Sequence, residues 1–379
     1  MIDYQIFELG DIDVQSGLRI RGAKLAYTTY GNLNAAKDNV IVFPTFFGSQ
    51  HPANEPMIGP GMALDPEKYF IIIPNLLGNG LSSSPSNTPP PYDRARFPGT
   101  TYYDNIMCQH RLVTEEFGIQ RIALVCGFSM GAQQSFHWGA LFPDMVERIA
   151  PWCGSARTSP HNFVFLEGVK AALRADDAWN GGWYDRPPGK GLRAMARVYA
   201  GWAPSQAFYR ERVYLQMGFS SLEDYLITGW EGRYLQLDAN DILAMVYTWQ
   251  HGDISDNPLY QGEFLKALGS IKAKAMVMPS RTDQYFPPED NEIEVAHMPN
   301  AELRIIPTIW GHIGGGPGRN PADTRFIDDG LKDRKSTRLN SSHKPISYAV
   351  FCLKKTTYTH HATILTSPFR HFILTSTTI

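Results

Sequence analysis

Residues 121–142 read RIALVCGFSMGAQQSFHWGALF, and the reading of the fold turns on them. Arg121 to Val125 is a short apolar run of the kind that forms a buried strand, whereas Met130 to Phe142 spaces its apolar side chains at helical intervals. Between the two stands Gly127-Phe128-Ser129-Met130-Gly131, a G-x-S-x-G pattern. At a strand-to-helix junction this pattern describes a sharp turn that holds its middle residue in strained backbone geometry. Glycine stands two positions to either side because no side chain fits there. The Ser129 hydroxyl then projects alone above the sheet. A glycine-rich turn whose serine merely caps the helix is the weaker reading.

Outward from this corner the chain alternates strand, turn and helix. Asn39 to Phe43, Tyr69 to Pro74, Val146 to Pro151, Ala275 to Met278 and Leu303 to Ile306 are further apolar runs bounded by glycine, proline or charge. They predict buried parallel strands, and Ile106 to Phe117 predicts a helix, which together give an α/β fold with a mostly parallel sheet covered on both faces. Residues from about Ser155 to Leu268 carry no strand run and are rich in Trp, Tyr, Arg and Ala, so they predict a helical insertion that roofs a pocket. The expected organisation is a core of residues 1–154 and 269–332 with a helical lid of residues 155–268.

A serine hydroxyl is a poor nucleophile at neutral pH and needs a general base and an orienting acid, which in this context follow in the order Ser, acid, His. Asp283 lies just after the strand Ala275 to Met278, with Glu289 and Asp290 as rival acids. His312, in Trp310-Gly311-His312, follows the last strand, and Gly314 to Gly316 let its loop bend inward. His137 and His161 read as structural. Acyl chemistry also needs two N–H donors facing the developing oxyanion. The amide of Met130, next to the nucleophile, is one; Phe46, in the loop Pro44 to Ser49, is the other, with its neighbours on either side as alternatives. Cys126 reads as a small buried hydrophobe.

The chain has 379 residues, 43% hydrophobic and 19% charged, an ordinary folded composition. Its net charge of -2 excludes the basic footprint of a nucleic-acid binder. Four scattered cysteines, without metal-ligand spacing, fit a reducing cytoplasm and predict no metal, and no stretch reaches the roughly 20 apolar residues of a membrane helix. Residues 333–379 break the pattern, with seven Lys or Arg, one acid and fifteen Ser or Thr. Asp333 to His343, DRKSTRLNSSH, resembles codon for codon the translation of a common DNA-sequencing adapter, and Ile346 to Lys355, ISYAVFCLKK, resembles its second half. Residues 333–379 are therefore expected to be a non-native tail that replaces a short native C-terminus.

Around these motifs, from about Tyr4 to Lys332, the chain resembles the homoserine O-acetyltransferase-like branch of the α/β-hydrolase fold. The matching stretches are Tyr69 to Gly80, Phe97-Pro98 with Asp104, Phe142 to Val146 and Asn320 to Asp323, besides the corner itself. The resemblance implies a triad of Ser129, Asp283 and His312, and transfer of an acyl group through the serine to a hydroxyl acceptor. Acyl-CoA is then a candidate co-substrate, no cofactor is bound, and a homodimer is a candidate assembly. The sequence departs from that pattern where homoserine is recognised. True homoserine acyltransferases have Asp immediately after the catalytic His, where this chain has Ile313, and the family's small, polar oxyanion loop here carries Phe46 and Phe47. The family's lid Tyr-Arg pair has no clear counterpart, although Arg197 and Arg210 lie nearby. Unpaired charges in such a site would cost several kcal/mol, so homoserine is not the expected acceptor. Two activities follow: acyl transfer to a less polar acceptor, or ester hydrolysis by the same triad.

Overall fold

The structure, a computed structural model, describes residues 3–333. The expectation of a non-native tail falls, apart from Asp333, outside the described residues. The eight-stranded sheet has the order β1-β2-β4-β3-β5-β6-β7-β8. Its strands are β1 (Gln5–Asp13), β2 (Arg19–Tyr30), β3 (Val40–Val42), β4 (Phe70–Pro74), β5 (Leu124–Phe128), β6 (Arg148–Trp152), β7 (Lys274–Val277) and β8 (Ala301–Leu303). From β4 to β8 every pairing is parallel, whereas β1 and β2 add an antiparallel edge. The central strands are apolar throughout because helices cover both faces: Val40, Ile41, Val42, Ile71, Ile72 and Ile73 are all buried.

The antiparallel edge has no precedent in the sequence reading. In β1 only Leu9 is buried, and its pairing with β2 shifts register on both sides of Gly10, so neither strand shows the apolar alternation that would reveal it. Other strand ends also differ from expectation. β5 begins three residues later than the run Arg121 to Val125 and continues to Phe128, delivering the chain straight into Ser129. β8 stops at Leu303, and Ile306 makes only an isolated bridge to Ser280. The helix expected at 106–117 starts earlier, as α1 (Tyr102–Arg111), because Thr101 and Asp104 form a capping box, and it widens over Leu112–Glu116.

Helix α2 (Met130–Leu141) is buried along its whole length. Between β6 and β7 the chain is helical: α3 (Pro160–Arg174), α4 (Gly189–Ala200), the short α5 (Gln206–Arg210), α6 (Val213–Gln216), α7 (Leu222–Asp224) and α8 (Gly232–Tyr234), then α9 (Ala239–Gln250) and α10 (Phe264–Ser270). Helices α11 (Pro288–Ala296) and α12 (Pro321–Lys332) complete the described fold. The helical excursion shares one apolar cluster with the sheet, in which Phe165, Tyr199 and Trp249 pack together with Phe43, Trp152 and Phe286. Burial of such side chains drives the roof onto the core, each large aromatic contributing on the order of 3–5 kcal/mol by the cost of its truncation.

Candidate active site

Ser129 sits at φ 56 and ψ -121, left-handed backbone that a non-glycine residue adopts only where its surroundings enforce it. Here they do. Its N–H donates to Trp152 O at 3.0 Å, and its neighbours are packed backbone to backbone. A Cβ on Gly127 would lie 2.4 Å from the Gly131 carbonyl, and one on Gly131 would lie 2.7 Å from Pro44 O. The two glycines are therefore required by the turn's closeness. A third small residue, Gly154, closes the corner from β6, since its Cβ would lie 2.7 Å from Ser129 O.

His312 reaches this hydroxyl from the loop after β8: its Nε2 is 2.9 Å from Ser129 Oγ. Its Nδ1 is 2.7 Å from Asp283 Oδ2, so one imidazole bridges carboxylate and hydroxyl. All three residues are buried. The carboxylate is itself fixed, because Asp283 Oδ1 accepts from the amides of Tyr285 (2.8 Å) and Phe286 (3.1 Å). The loop carrying the histidine is pinned on two sides. His312 N–H donates to Ala203 O at 2.8 Å, Ser280 Oγ donates to Gly311 O at 2.8 Å, and Gly311 N–H donates to Thr282 Oγ1 at 3.0 Å. The rings of Phe128, Tyr285 and Phe286 surround the imidazole at centroid distances of 4.8, 4.7 and 5.7 Å. The rival acids Glu289 and Asp290 lie on α11, and the structure brings neither to His312.

The parallel pairing of β3 with β5 sets the loop after β3 beside the serine corner. Gln134 on α2 donates to Thr45 O at 2.9 Å and ties that loop to the corner's helix. Thr45 N–H donates to Pro74 O at 3.2 Å, which removes it from use. Phe46, the next residue, lines the cavity together with Ser129, Phe47 and His312. Met130 opens α2, and its amide is one of those that a helix start leaves without an intrahelical acceptor. Cys126 is buried behind the corner, where burial pushes its thiol up, away from nucleophilic use. His137 is buried on α2 with Nδ1 2.8 Å from Gln133 O, and His161 packs on Trp202; neither is brought to Ser129.

The cavity over Ser129 measures about 900 Å³. Its wall is largely apolar and includes the rings of Phe46, Phe47, Tyr199 and Trp230, and Ile313 stands in it beside His312. Arg197 is outside that wall, ion-paired with Glu223 and Glu231, and Arg210 is exposed on α5. The arginines that line the cavity are Arg233 and Arg319, which sequence reasoning missed. Only the glycine-rich run after His312 hinted at the second. Among the described residues no group of three or more His, Cys, Asp or Glu is placed to hold a metal ion, and no helix is long and apolar enough to cross a membrane.

A Ser-His-carboxylate chain on a parallel sheet, reached from strand ends far apart in sequence, has relatives of known kind. The chain is 39% identical over 317 residues to an ethyl acetate hydrolase of Pseudomonas veronii, covering 82% of this chain and 89% of the relative. It is 33% identical over 313 residues to a homoserine O-acetyltransferase of Chlorobium chlorochromatii, covering 78% of this chain and 86% of the relative. An acetylester hydrolase of Corynebacterium glutamicum superposes with a TM-score of 0.83 at 36% identity, over 87% of this chain and 96% of that one. The family described as the alpha/beta hydrolase fold matches residues 38–314. With acetyl ester hydrolases and homoserine O-acetyltransferases both among its relatives, the chain belongs to the alpha/beta hydrolase fold family.

Proposed function

We propose that the protein is an ester hydrolase that works through an acyl-enzyme on Ser129. The observation that carries the reading is the unbroken chain from Asp283 through His312 to Ser129 Oγ, opening into an apolar cavity. Ser129 Oγ attacks the ester carbonyl while His312 Nε2 takes the hydroxyl proton, and Asp283 steadies the imidazolium that results. The amides of Met130 and Phe46 face the oxyanion. The alcohol leaves with the proton from His312. Water then attacks the acyl-enzyme, giving up a proton to the same nitrogen, which returns it to Ser129 Oγ as the bond from Oγ to the acyl carbon breaks and the acid departs.

Hydrolysis is preferred to acyl transfer, reversing the order in which the sequence presented them. The ester-cleaving relatives support it, and so does the wall of the cavity, which among the described residues carries no Asp or Glu to pair the ammonium of an amino-acid acceptor and presents Ile313 instead. Transfer from acyl-CoA to an alcohol is the second reading, favoured by the homoserine O-acetyltransferase relative. The helices between β6 and β7 serve as the lid in either case. The test is turnover of p-nitrophenyl acetate and of acetyl-CoA, with and without added alcohols. Ester turnover indifferent to alcohols is expected; CoA release that rises with the alcohol would move the reading to transfer. Ser129→Ala should abolish turnover while the thermal transition survives, and substantial activity in that variant would remove Ser129 from its role.

A further inference from the structure

The cavity is far larger than a small acetate ester needs, since about 900 Å³ lies in the range that holds drug-sized ligands. Arg233, on α8, and Arg319, in the turn before α12, are the arginines in its lining among the described residues, and no carboxylate of those residues accompanies them there. Arg233 donates from Nη2 to Gly48 O (3.3 Å) and Ser49 Oγ (3.0 Å), both neutral. Arg319 has no ion pair among the described residues, and its stem lies across Gly316, where an added Cβ would come within 2.9 Å of Arg319 Cγ. Arg319 stands at the rim and stays open to solvent. Even so, crowding by protein atoms and the nearby Arg233 charge push its pKa down. Two like charges without a counter-ion in one wall are a cost that an entering anion relieves, and guanidinium groups suit planar oxyanions.

We propose that Arg233 and Arg319 form an anion subsite in the substrate cavity, so that the favoured substrates are esters carrying a carboxylate or phosphate away from the scissile bond. The proposal rests on the ester-cleaving reading of Ser129. It names a group that is bound and adds no chemical step.

The experiment compares kcat/KM for charged esters with neutral isosteres at low ionic strength. One pair puts a carboxylate on the alcohol side (4-acetoxybutanoate against 4-methylpentyl acetate), and one puts it on the acyl side (monoethyl glutarate against ethyl 5-methylhexanoate). Acetyl-CoA against a neutral acetyl thioester supplies the phosphate arm. At least one charged member should be favoured about 10-fold or more, and the pair that responds identifies the source of the anion. In Arg319→Gln that ratio should fall to within about twofold of unity, whereas Arg319→Lys, which keeps the charge, should retain part of it. Added salt should erode the ratio as well. Equal treatment of every pair by the native protein, or a ratio untouched by Arg319→Gln, would overturn the subsite while leaving ester cleavage standing. Failure to cleave any of these esters, neutral ones included, would overturn the ester-cleaving reading and the subsite with it.

Discussion

Replacing Asp283 by Asn changes one atom type, and the structure dictates how the new amide must sit. Asp283 Oδ1 accepts two backbone N–H groups, from Tyr285 and Phe286, so the amide oxygen of Asn is held at that position. Turning the amide round would set its NH2 against two donors and forfeit both bonds, at about 1–3 kcal/mol each. The NH2 therefore faces His312 Nδ1, where the carboxylate oxygen stood at 2.7 Å. Nδ1 must then accept, which moves the imidazole proton to Nε2, and an N–H now points at Ser129 Oγ from 2.9 Å. That nitrogen cannot take the serine proton. Removal of the acid by this substitution in a Ser-His-Asp triad lowers kcat on the order of 10⁴-fold, and at 1.36 kcal/mol per decade that is about 5 kcal/mol of transition-state stabilisation. We expect Asp283→Asn to lose roughly 10³- to 10⁴-fold in kcat for p-nitrophenyl acetate, with its thermal transition near that of the native protein. A folded variant within about tenfold of native kcat would refute the tautomer argument.

Three further outcomes follow from the packing. Gly127→Ala should destabilise strongly, by about 3 kcal/mol or more in denaturant unfolding, and abolish turnover, because its Cβ meets Gly131 backbone at 2.4 Å; a stable, active variant would contradict the crowded corner. Gln134→Ala, which frees Thr45 O and so the loop carrying Phe46, the proposed oxyanion donor, should lower kcat about 10-fold, and unchanged kcat would show that the loop holds itself. Burial raises Glu294 from its ordinary value of 4.5 to about 8, despite hydrogen bonds from Asn291 and Ala156 that favour its charge. The folded protein keeps that proton where the unfolded chain releases it. This contribution is full below pH about 4.5 and is lost as pH climbs towards 8, by up to about 1.4 kcal/mol per pH unit. Unfolding of native protein and Glu294→Gln across that range should show the native curve falling more steeply, and parallel curves would count against it.

The parallel sheet was legible because its strands are buried on both faces and punctuated by glycine and proline, and the serine corner because packing there leaves glycine no substitute. The positions of Ser129, Asp283 and His312 could be read since each lies at the end of a recognisable strand, although the sequence alone could not bring their atoms together. β1 escaped because this edge strand buries one side chain, Leu9, and β2 because its buried positions, Ile20, Ala23 and Leu25 to Tyr27, do not recur at a period of two. Arg233 and Arg319 escaped for a different reason: they enter one wall from a one-turn helix and a glycine-rich turn, and nothing local marks either as facing a cavity. Arg197, which sequence proximity did bring forward, is satisfied by Glu223 and Glu231 at the surface.

The stacking of Phe165 on Tyr285 and of Trp249 on Phe286 ties the roof to the two rings that flank His312. A hinged lifting of the whole roof would drag those rings, and His312 with them, out of place, whereas the cavity already meets solvent at Pro56, Gln236, Gly318 and Arg319. Under the proposed hydrolysis, such a mouth lets bulk water reach an acyl group on Ser129 without any movement of the roof.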